Sequence, residues 1–322
     1  MTAKPVAEKE LAGFRPVICI VGPTGSGKSA LALRLAKELN GEIVNCDSLQ
    51  LYRGFDIGSA KPSVAERESV LHHLIDVAGP GEVYTAGEFA RQARVVLRSI
   101  TERGKLPIVV GGTGFYLKAL IDGLIEAPAR DETLRDRLAR IEKRRPGRLH
   151  AMLVRWDPVS AEKIAANDVQ KQIRALELMI SKRKALSAIY QAPRDADREF
   201  QFFQIGLSPS RAELYQRLDR RCVLMLEQGL MGEVEQLLAQ GYRPEEKPFG
   251  SIGYKQALQV HAGNMALDAA LEEMQRDTRR YAKRQWTWFR RDQRVHWLYR
   301  FGDGETTVKA AIAAMQKKFF CF

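Results

Sequence analysis

The stretch Gly22-Pro23-Thr24-Gly25-Ser26-Gly27-Lys28-Ser29 fits the phosphate-loop pattern of two glycines, a lysine and a hydroxyl residue at fixed spacing. Its flanks fit as well. Val17-Ile18-Cys19-Ile20-Val21 is a short apolar run of the kind a buried strand shows. After the loop, Leu31, Leu35 and Leu39 recur every fourth residue in a segment rich in Ala, Leu and Lys, the mark of a helix. Strand, glycine loop and helix direct backbone N–H groups and a helix N-terminus at one point, which attracts phosphate oxygens. The eight residues are therefore candidate di- or triphosphate ligands. Lys28 supplies positive charge, and the Ser29 hydroxyl is a candidate ligand for Mg²⁺.

Downstream, Glu42-Ile43-Val44-Asn45-Cys46 reads as a second strand that runs into Asp47-Ser48-Leu49-Gln50-Leu51-Tyr52-Arg53. In an open α/β sheet ligands sit at the C-terminal ends of the strands, so topology alone puts Asp47 beside the phosphate loop. Asp56 to Pro62 is turn-rich and reads as a loop, Leu71 to Val77 as a short strand, and Ala86 to Arg103 as a helix ending at Gly104. Pro107-Ile108-Val109-Val110 is a further strand that ends in Gly111-Gly112-Thr113-Gly114. Many phosphate-loop NTPases have an Asp at such a strand end to help hold Mg²⁺. Its absence weakens the case for an ATP-hydrolysing motor and leaves a transferase open, with Ser29, phosphate and water as the alternative support for the metal.

The whole chain has 322 residues, 51 Lys plus Arg against 39 Asp plus Glu, and a formal net charge of +12. That excess favours a polyanionic partner such as nucleic acid. Cys19, Cys46, Cys222 and Cys321 are far apart and form no C-x-x-C pair, which suggests neither a zinc ribbon nor a disulfide framework. The five histidines show no metal-ligand spacing, and His72-His73 reads as structural. The first fifteen residues lack a signal-peptide core and are expected to be flexible. No apolar run of membrane-spanning length is present. A cytoplasmic protein that is not membrane-bound is expected.

From Arg130 the composition shifts. Residues 130–148 carry eight basic and four acidic side chains. Helical pieces follow from Asp157 to Ile164 and, after Asn167-Asp168 as an N-cap, from Val169 to Lys184. No strand pattern appears before Phe202 to Leu207, so 130–198 reads as a basic helical insertion. Ser208-Pro209-Ser210 then opens a long helix on which Leu214, Leu218, Arg221 and Met225 share one face. An arginine on an apolar stripe needs a partner. Either its stem packs there while its head reaches water, or its guanidinium points into the phosphate site. Arg276 to Arg291 holds seven basic residues and one acid, interleaved with Tyr281, Trp286, Trp288 and Phe289. Its cations suit phosphate and its aromatics suit packing.

Together these stretches resemble the bacterial tRNA dimethylallyltransferases, also called tRNA isopentenyltransferases. The resemblance rests on Gly22 to Ser29, Asp47 to Arg53, Asp56 to Pro62, Gly111 to Leu117, Asn167-Asp168 with Arg174 to Glu177, Ile252 to Lys255 and Thr278 to Gln285, in the same order along the chain. It implies transfer of a dimethylallyl group from dimethylallyl diphosphate to the N6 amine of the adenosine at position 37, 3′ of the anticodon, with Mg²⁺ and release of diphosphate. It also implies that the phosphate loop holds the prenyl diphosphate. By the same resemblance Asp47 accepts the amine proton, Thr24 donates to the leaving diphosphate and Arg221 is a further diphosphate ligand. Asp47, Ser48, Leu49, Gln50, Thr113, Arg135, Gln170, Lys171, Gln172, Ile173, Arg174, Gly250, Ser251, Ile252, Gly253, Tyr254 and Lys255 fall at contacts to the tRNA anticodon stem-loop. The chain departs from the family pattern at Ala165-Ala166, where His-Pro is usual, and at Lys171 and Ser59, where Arg and Thr are usual.

The expected fold is therefore α/β: a parallel sheet of the P-loop NTPase kind flanked by helices, residues 16–129 and 199–322, with an inserted helical tRNA-binding domain over 130–198. A monomer is expected. The competing readings are a phosphate-loop kinase acting on a small molecule or nucleotide, and a non-catalytic RNA-binding protein with a vestigial loop. The basic insertion argues against the first. Intact Lys28, Ser29 and Asp47 argue against the second.

Overall fold

A computed structural model describes residues 15–125, 128, 130–191 and 199–320. Except for Arg15, the segment expected to be flexible lies outside the described residues. Six strands are present among the described residues: β1 (Arg15–Val21), β2 (Gly41–Asn45), β3 (His72–His73), β4 (Leu106–Val110), β5 (Phe200–Leu207) and β6 (Val295–Leu298). In chain order the helices are α1 (Lys28–Glu38), α2 (Val64–Ser69), α3 (Ala86–Glu102), α4 (Gly114–Asp122), α5 (Glu132–Arg144), α6 (Arg148–Trp156) and α7 (Pro158–Ala161). They continue with α8 (Val169–Lys182), α9 (Leu186–Gln191), α10 (Arg211–Glu227), α11 (Leu230–Ala239), α12 (Tyr254–His261), α13 (Leu267–Phe289) and α14 (Glu305–Phe320).

The chain divides into two compact units, Met1–Ile121 with Arg198–Phe322, and Asp122–Asp197. The first contains one sheet in the order β3-β2-β4-β1-β5-β6, and every pairing is parallel. β1 lies between β4 and β5, with Ile20 opposite Val110 on one side and Ile205 on the other. Strands buried on both faces read as unbroken apolar runs, and Val17 to Val21 are all buried. On one face Ile18, Ile20, Ile108 and Ile205 pack with Leu31 and Leu35 of α1 and with Val308, Ala311 and Met315 of α14. This order brings the C-terminal ends of β1, β2, β4 and β5 together, and the loops that follow them carry the candidate ligands.

The second unit is helical, α5 to α9, around a core that includes Leu138, Leu149, Leu153, Leu176 and Leu186. Asp131, Asp157 and Asp168 cap α5, α7 and α8, accepting from the N–H of Leu134, Ser160 and Lys171 at 2.9, 3.1 and 3.2 Å. Such caps satisfy N–H groups that a helix start leaves without partners.

Several segments differ from the sequence expectation. The strand expected over Leu71–Val77 is only His72–His73. The chain leaves the sheet because Leu74 and Asp76 both take φ 58, outside strand geometry, and Asn45 Nδ2 donates to the Leu74 carbonyl at 2.8 Å. The helical piece expected from Asp157 to Ile164 is confined to Pro158–Ala161. The helix expected to reach Lys184 ends at Lys182, where Arg183 turns left-handed at φ 50. The basic block at 276–291 is the later part of α13, which begins nine residues earlier than the block itself and ends at Phe289. β6 carries no strand signature that sequence reading detected.

Candidate active site

The phosphate loop has the backbone its glycines permit. Gly22, Gly25 and Gly27 have φ 134, 76 and 87, a region other residues enter at a cost. Gly22 also backs onto β5, where an added Cβ would stand 2.6 Å from the Leu207 carbonyl oxygen. Gly27 forms the N-terminal cap position of α1, so the helix opens directly from the loop. Gly302 N–H donates to the Ser26 carbonyl at 2.9 Å and closes the loop from the α14 side. The Ser26 side chain is fully buried, and its Oγ has no hydrogen-bond partner among the described residues.

A cavity of about 510 Å³ opens at this loop. Thr24, Gly25, Gly27, Lys28 and Ser29 line one side, and Asn45, Asp47, Gln50, Gly111 and Gly112 line it from the ends of β2 and β4. Arg217, Arg220 and Arg221 of α10 complete the polar wall, while Ile43, Ile75, Val110 and Leu224 give it apolar surface. Thus one cavity combines a cationic end at the glycine-rich loop with a carboxylate and apolar side chains.

The charges are held in place individually. Lys28 Nζ donates to the Pro23 carbonyl at 2.8 Å. Burial pushes its ammonium down to about 8 from the usual lysine value; Asp47 opposes that shift and Arg221 adds to it. Arg221 is also pushed down, chiefly by burial, with Asp47 opposing. Its Nη1 lies 3.4 Å from Thr24 Oγ1. Of the two roles open to this arginine, the guanidinium faces the cavity and the phosphate loop. Asp47 is set by a short turn: its Oδ1 accepts from Leu49 N–H at 2.9 Å, and its own N–H donates to Asn45 Oδ1 at 3.0 Å. The other carboxylate oxygen has no hydrogen-bond partner among the described residues. Thr113 braces the same turn, its Oγ1 accepting from Ser48 N–H at 3.0 Å.

Asp47, Gln50, Thr24, Arg221 and most of the phosphate loop therefore meet around one cavity, with Ser48, Leu49 and Thr113 immediately behind Asp47. The remaining proposed tRNA contacts fall into two groups. In the first unit, Gly250 is exposed, and Ser251, Ile252 and Lys255 are partly exposed. Gly253 is buried, and the Tyr254 ring is fully buried beside Phe55, with centroids 4.8 Å apart. Tyr254 Oη donates to Glu233 Oε1 at 2.5 Å and accepts from Gly58 N–H at 3.1 Å. Its side chain anchors the 56–62 loop and cannot reach a surface ligand. Lys255 Nζ is paired with Asp277 at 2.6 Å and Glu273 at 3.4 Å.

In the helical unit, Gln170 and Lys171 are exposed, whereas Gln172 and Ile173 are buried. Burial removes the last two side chains from direct contact. Arg135 and Arg174 both face the fully buried Glu177, at 3.2 and 2.7 Å. These arginines neutralise an internal carboxylate, and Arg174 remains partly exposed. Lys171 is paired with Asp168 on the surface.

Sequence reading missed three cavity or cavity-bracing residues: Arg217, Arg220 and Gln285. The two arginines belong to the run Arg217-Leu218-Asp219-Arg220-Arg221, in which positions three and four apart share a helix face. That spacing was the available signal. For the role of Gln285 there was none. Tyr281 was read as packing; burial pushes its phenol up, and the nearby Asp47 adds to the shift.

Residues 50–292 match the family described as IPP transferase. The chain is 52% identical over 302 residues to a tRNA dimethylallyltransferase of Solibacter usitatus, covering 94% of this chain and 98% of that relative. It is 50% identical over 294 residues to a tRNA dimethylallyltransferase of Koribacter versatilis, covering 91% and 95%. Among solved structures it is similar to the full-length tRNA isopentenylpyrophosphate transferase of Bacillus halodurans, with a TM-score of 0.68 and 36% identity over 95% of this chain and 96% of that one. It is also similar to a eukaryotic dimethylallyltransferase acting on tRNA, with a TM-score of 0.79 and 30% identity over 94% of this chain and 78% of that one.

Proposed function

From the premise that the chain belongs to the IPP transferase family, we propose that the cavity transfers the dimethylallyl group of dimethylallyl diphosphate to the N6 amine of adenosine 37 in tRNA. Enzymatic dimethylallyl transfer to tRNA is the activity of this chain. The carrying observation is the pairing, around one cavity, of the phosphate loop and Arg221 with the carboxylate of Asp47. A kinase reading is not favoured.

The adenine amine is a weak nucleophile because its lone pair is delocalised into the ring. As its nitrogen bonds to the allylic carbon, the carbon–oxygen bond to diphosphate breaks and the nitrogen becomes cationic. A carboxylate within hydrogen-bond reach orients the amine and takes its proton. The Asp47 oxygen left over from the Leu49 contact is available for that task. At the other end, the Thr24 hydroxyl, Lys28 and Arg221 face the charge that develops on the leaving diphosphate.

The oxygen donors here suit Mg²⁺. No group of three or more His, Cys, Asp or Glu among the described residues is arranged to hold a metal. The ion would rest on the Ser29 hydroxyl together with phosphate and water, ligands that Mg²⁺ commonly keeps. When bound, it would offset charge on the diphosphate. The anticodon stem-loop is the proposed macromolecular ligand, bound by a monomer in the cytoplasm. No helix among the described residues is long and apolar enough to cross a membrane.

The test is mass analysis of nucleosides from tRNA incubated with the protein, Mg²⁺ and dimethylallyl diphosphate. One adenosine per substrate tRNA should gain a dimethylallyl group. Robust ATP hydrolysis or phosphoryl transfer without prenyl transfer would sink the reading.

A further inference from the structure

Gln285 lies in the last turns of α13, outside the cavity lining, and its side chain is almost wholly buried. Its amide is used at both ends. Oε1 accepts from Thr24 N–H at 2.7 Å, and Nε2 donates to the Gly112 carbonyl at 3.0 Å. The fit is close: a Cβ on Gly112 would stand 2.0 Å from Nε2. Any larger residue at Gly112 would have to displace the end of the Gln285 side chain.

Both contacts constrain the site. In a phosphate loop, successive backbone N–H groups turn toward the anion. Here the Thr24 N–H is already taken by Gln285, so Thr24 offers phosphate its hydroxyl, which lies 3.4 Å from Arg221 Nη1. Gly112 leads directly into Thr113, whose N–H donates to the Cys46 carbonyl at 3.3 Å and whose hydroxyl accepts from Ser48 N–H at 3.0 Å. Cys46 and Ser48 flank Asp47. One side-chain amide thus connects the residue at the diphosphate end of the cavity with the turn that carries the carboxylate.

We infer that Gln285 is a positioning residue for the transfer reaction: its amide sets the Thr24 hydroxyl against the leaving diphosphate and, through the Gly112–Thr113 turn, holds Asp47 at a fixed reach from it. The inference rests on the proposed roles of Thr24 and Asp47. Geometry of this kind matters because a displacement of about 1 Å from a near-attack arrangement costs on the order of 10²-fold in rate.

The test combines a double-mutant cycle with amide hydrogen exchange. Gln285→Met keeps the volume of the side chain and removes both hydrogen bonds. It should lower kcat for tRNA prenylation by about 10²-fold while leaving tRNA affinity unchanged. In a Thr24→Val background, the same substitution should lower kcat by clearly less than in the wild type, the remaining loss passing through Asp47, because residues acting as a unit are not additive. Additive losses, or a Gln285→Met enzyme within a few-fold of wild type, would overturn the inference. A wild-type protein that transfers no prenyl group would instead overturn the proposed function.

Exchange on the unmodified protein gives a reading that depends on no variant. The Thr24 amide should exchange slowly without ligand and stay unchanged when inorganic diphosphate and Mg²⁺ are added, while amides from Gly25 to Ser29 slow down. A Thr24 amide that exchanges freely until diphosphate binds would show that its N–H belongs to the phosphate, and the inference would fail.

Discussion

At the scale of single residues, Asp47 and Lys28 carry the sharpest consequences. One oxygen of Asp47 is engaged by the Leu49 N–H and the other is available. Asp47→Asn preserves shape and still accepts a hydrogen bond from Leu49, but is a far weaker base. Turnover should fall by about 10²–10⁴-fold, the range typical of a lost general base, with tRNA affinity nearly constant. Steady-state kinetics at saturating substrates decides it, since turnover within a few-fold of wild type would leave Asp47 only its turn-capping role. Lys28 makes a pH prediction. Its ammonium is held down to about 8, so in the free protein it loses its charge as pH rises through that value. Affinity for inorganic diphosphate, measured by calorimetry, should weaken above about pH 8. Stability should move the other way. The unfolded chain binds this proton more tightly than the folded one, so the penalty for burying the charge is relieved as pH rises from about 8 toward the ordinary lysine range.

At the scale of elements, the phosphate loop was legible because its conformation is written in residue types. Only glycine tolerates φ 134 beside the Leu207 carbonyl at position 22. Gly22→Ala should destabilise the protein by at least about 1–3 kcal/mol in urea unfolding. Gly104→Ala, at φ 70 with nothing near its Cβ position, should cost only the left-handed penalty of about 1–2 kcal/mol. An equal cost at the two positions would mean that contact with β5 is unimportant. β1, β2, β4 and β5 were legible for a related reason: strands covered on both faces become apolar runs. Val295–Leu298 escaped because it is a short edge strand with His296 exposed. The burial of Tyr254 was not legible because its partners, Phe55 and Glu233, are far away in sequence. The role of Gln285 was hidden for the same reason, although the residue closes the stretch Thr278 to Gln285 that resembles the family. A glutamine on a helix looks like any solvated position until the chain brings Thr24 and Gly112 against it.

At the scale of the whole molecule, the excess of positive charge is divided between cations with internal partners and cations facing solvent. Arg135 and Arg174 serve Glu177, and Lys255 serves Asp277. Arg137, Arg140, Lys143 and Arg144 on α5, and Arg276, Arg280, Lys283 and Arg284 on α13, are exposed. Contacts from such side chains to phosphate release counterions, so the tRNA affinity constant should fall with salt at a log–log slope steeper than about −3. Filter binding or fluorescence titration across several salt concentrations measures it. A nearly flat dependence would leave the exposed cations without a role in binding. Charge excess was visible in the sequence; its division was not, because which cations are paired depends on tertiary contacts.

The position of β1 between β4 and β5 also has a history in time. During synthesis β4 emerges long before β5, because the whole helical unit is translated between them. At about 5–20 residues per second, one flank of the central strand is left without its neighbour for several seconds or more. Through that interval the nascent chain displays an unpaired apolar strand, the kind of edge that recruits other chains. Gly22 meanwhile lacks the Leu207 carbonyl it will back onto. The phosphate loop is among the first pieces made and among the last to be finished: it becomes complete only after Leu207 and Gly302 have been translated.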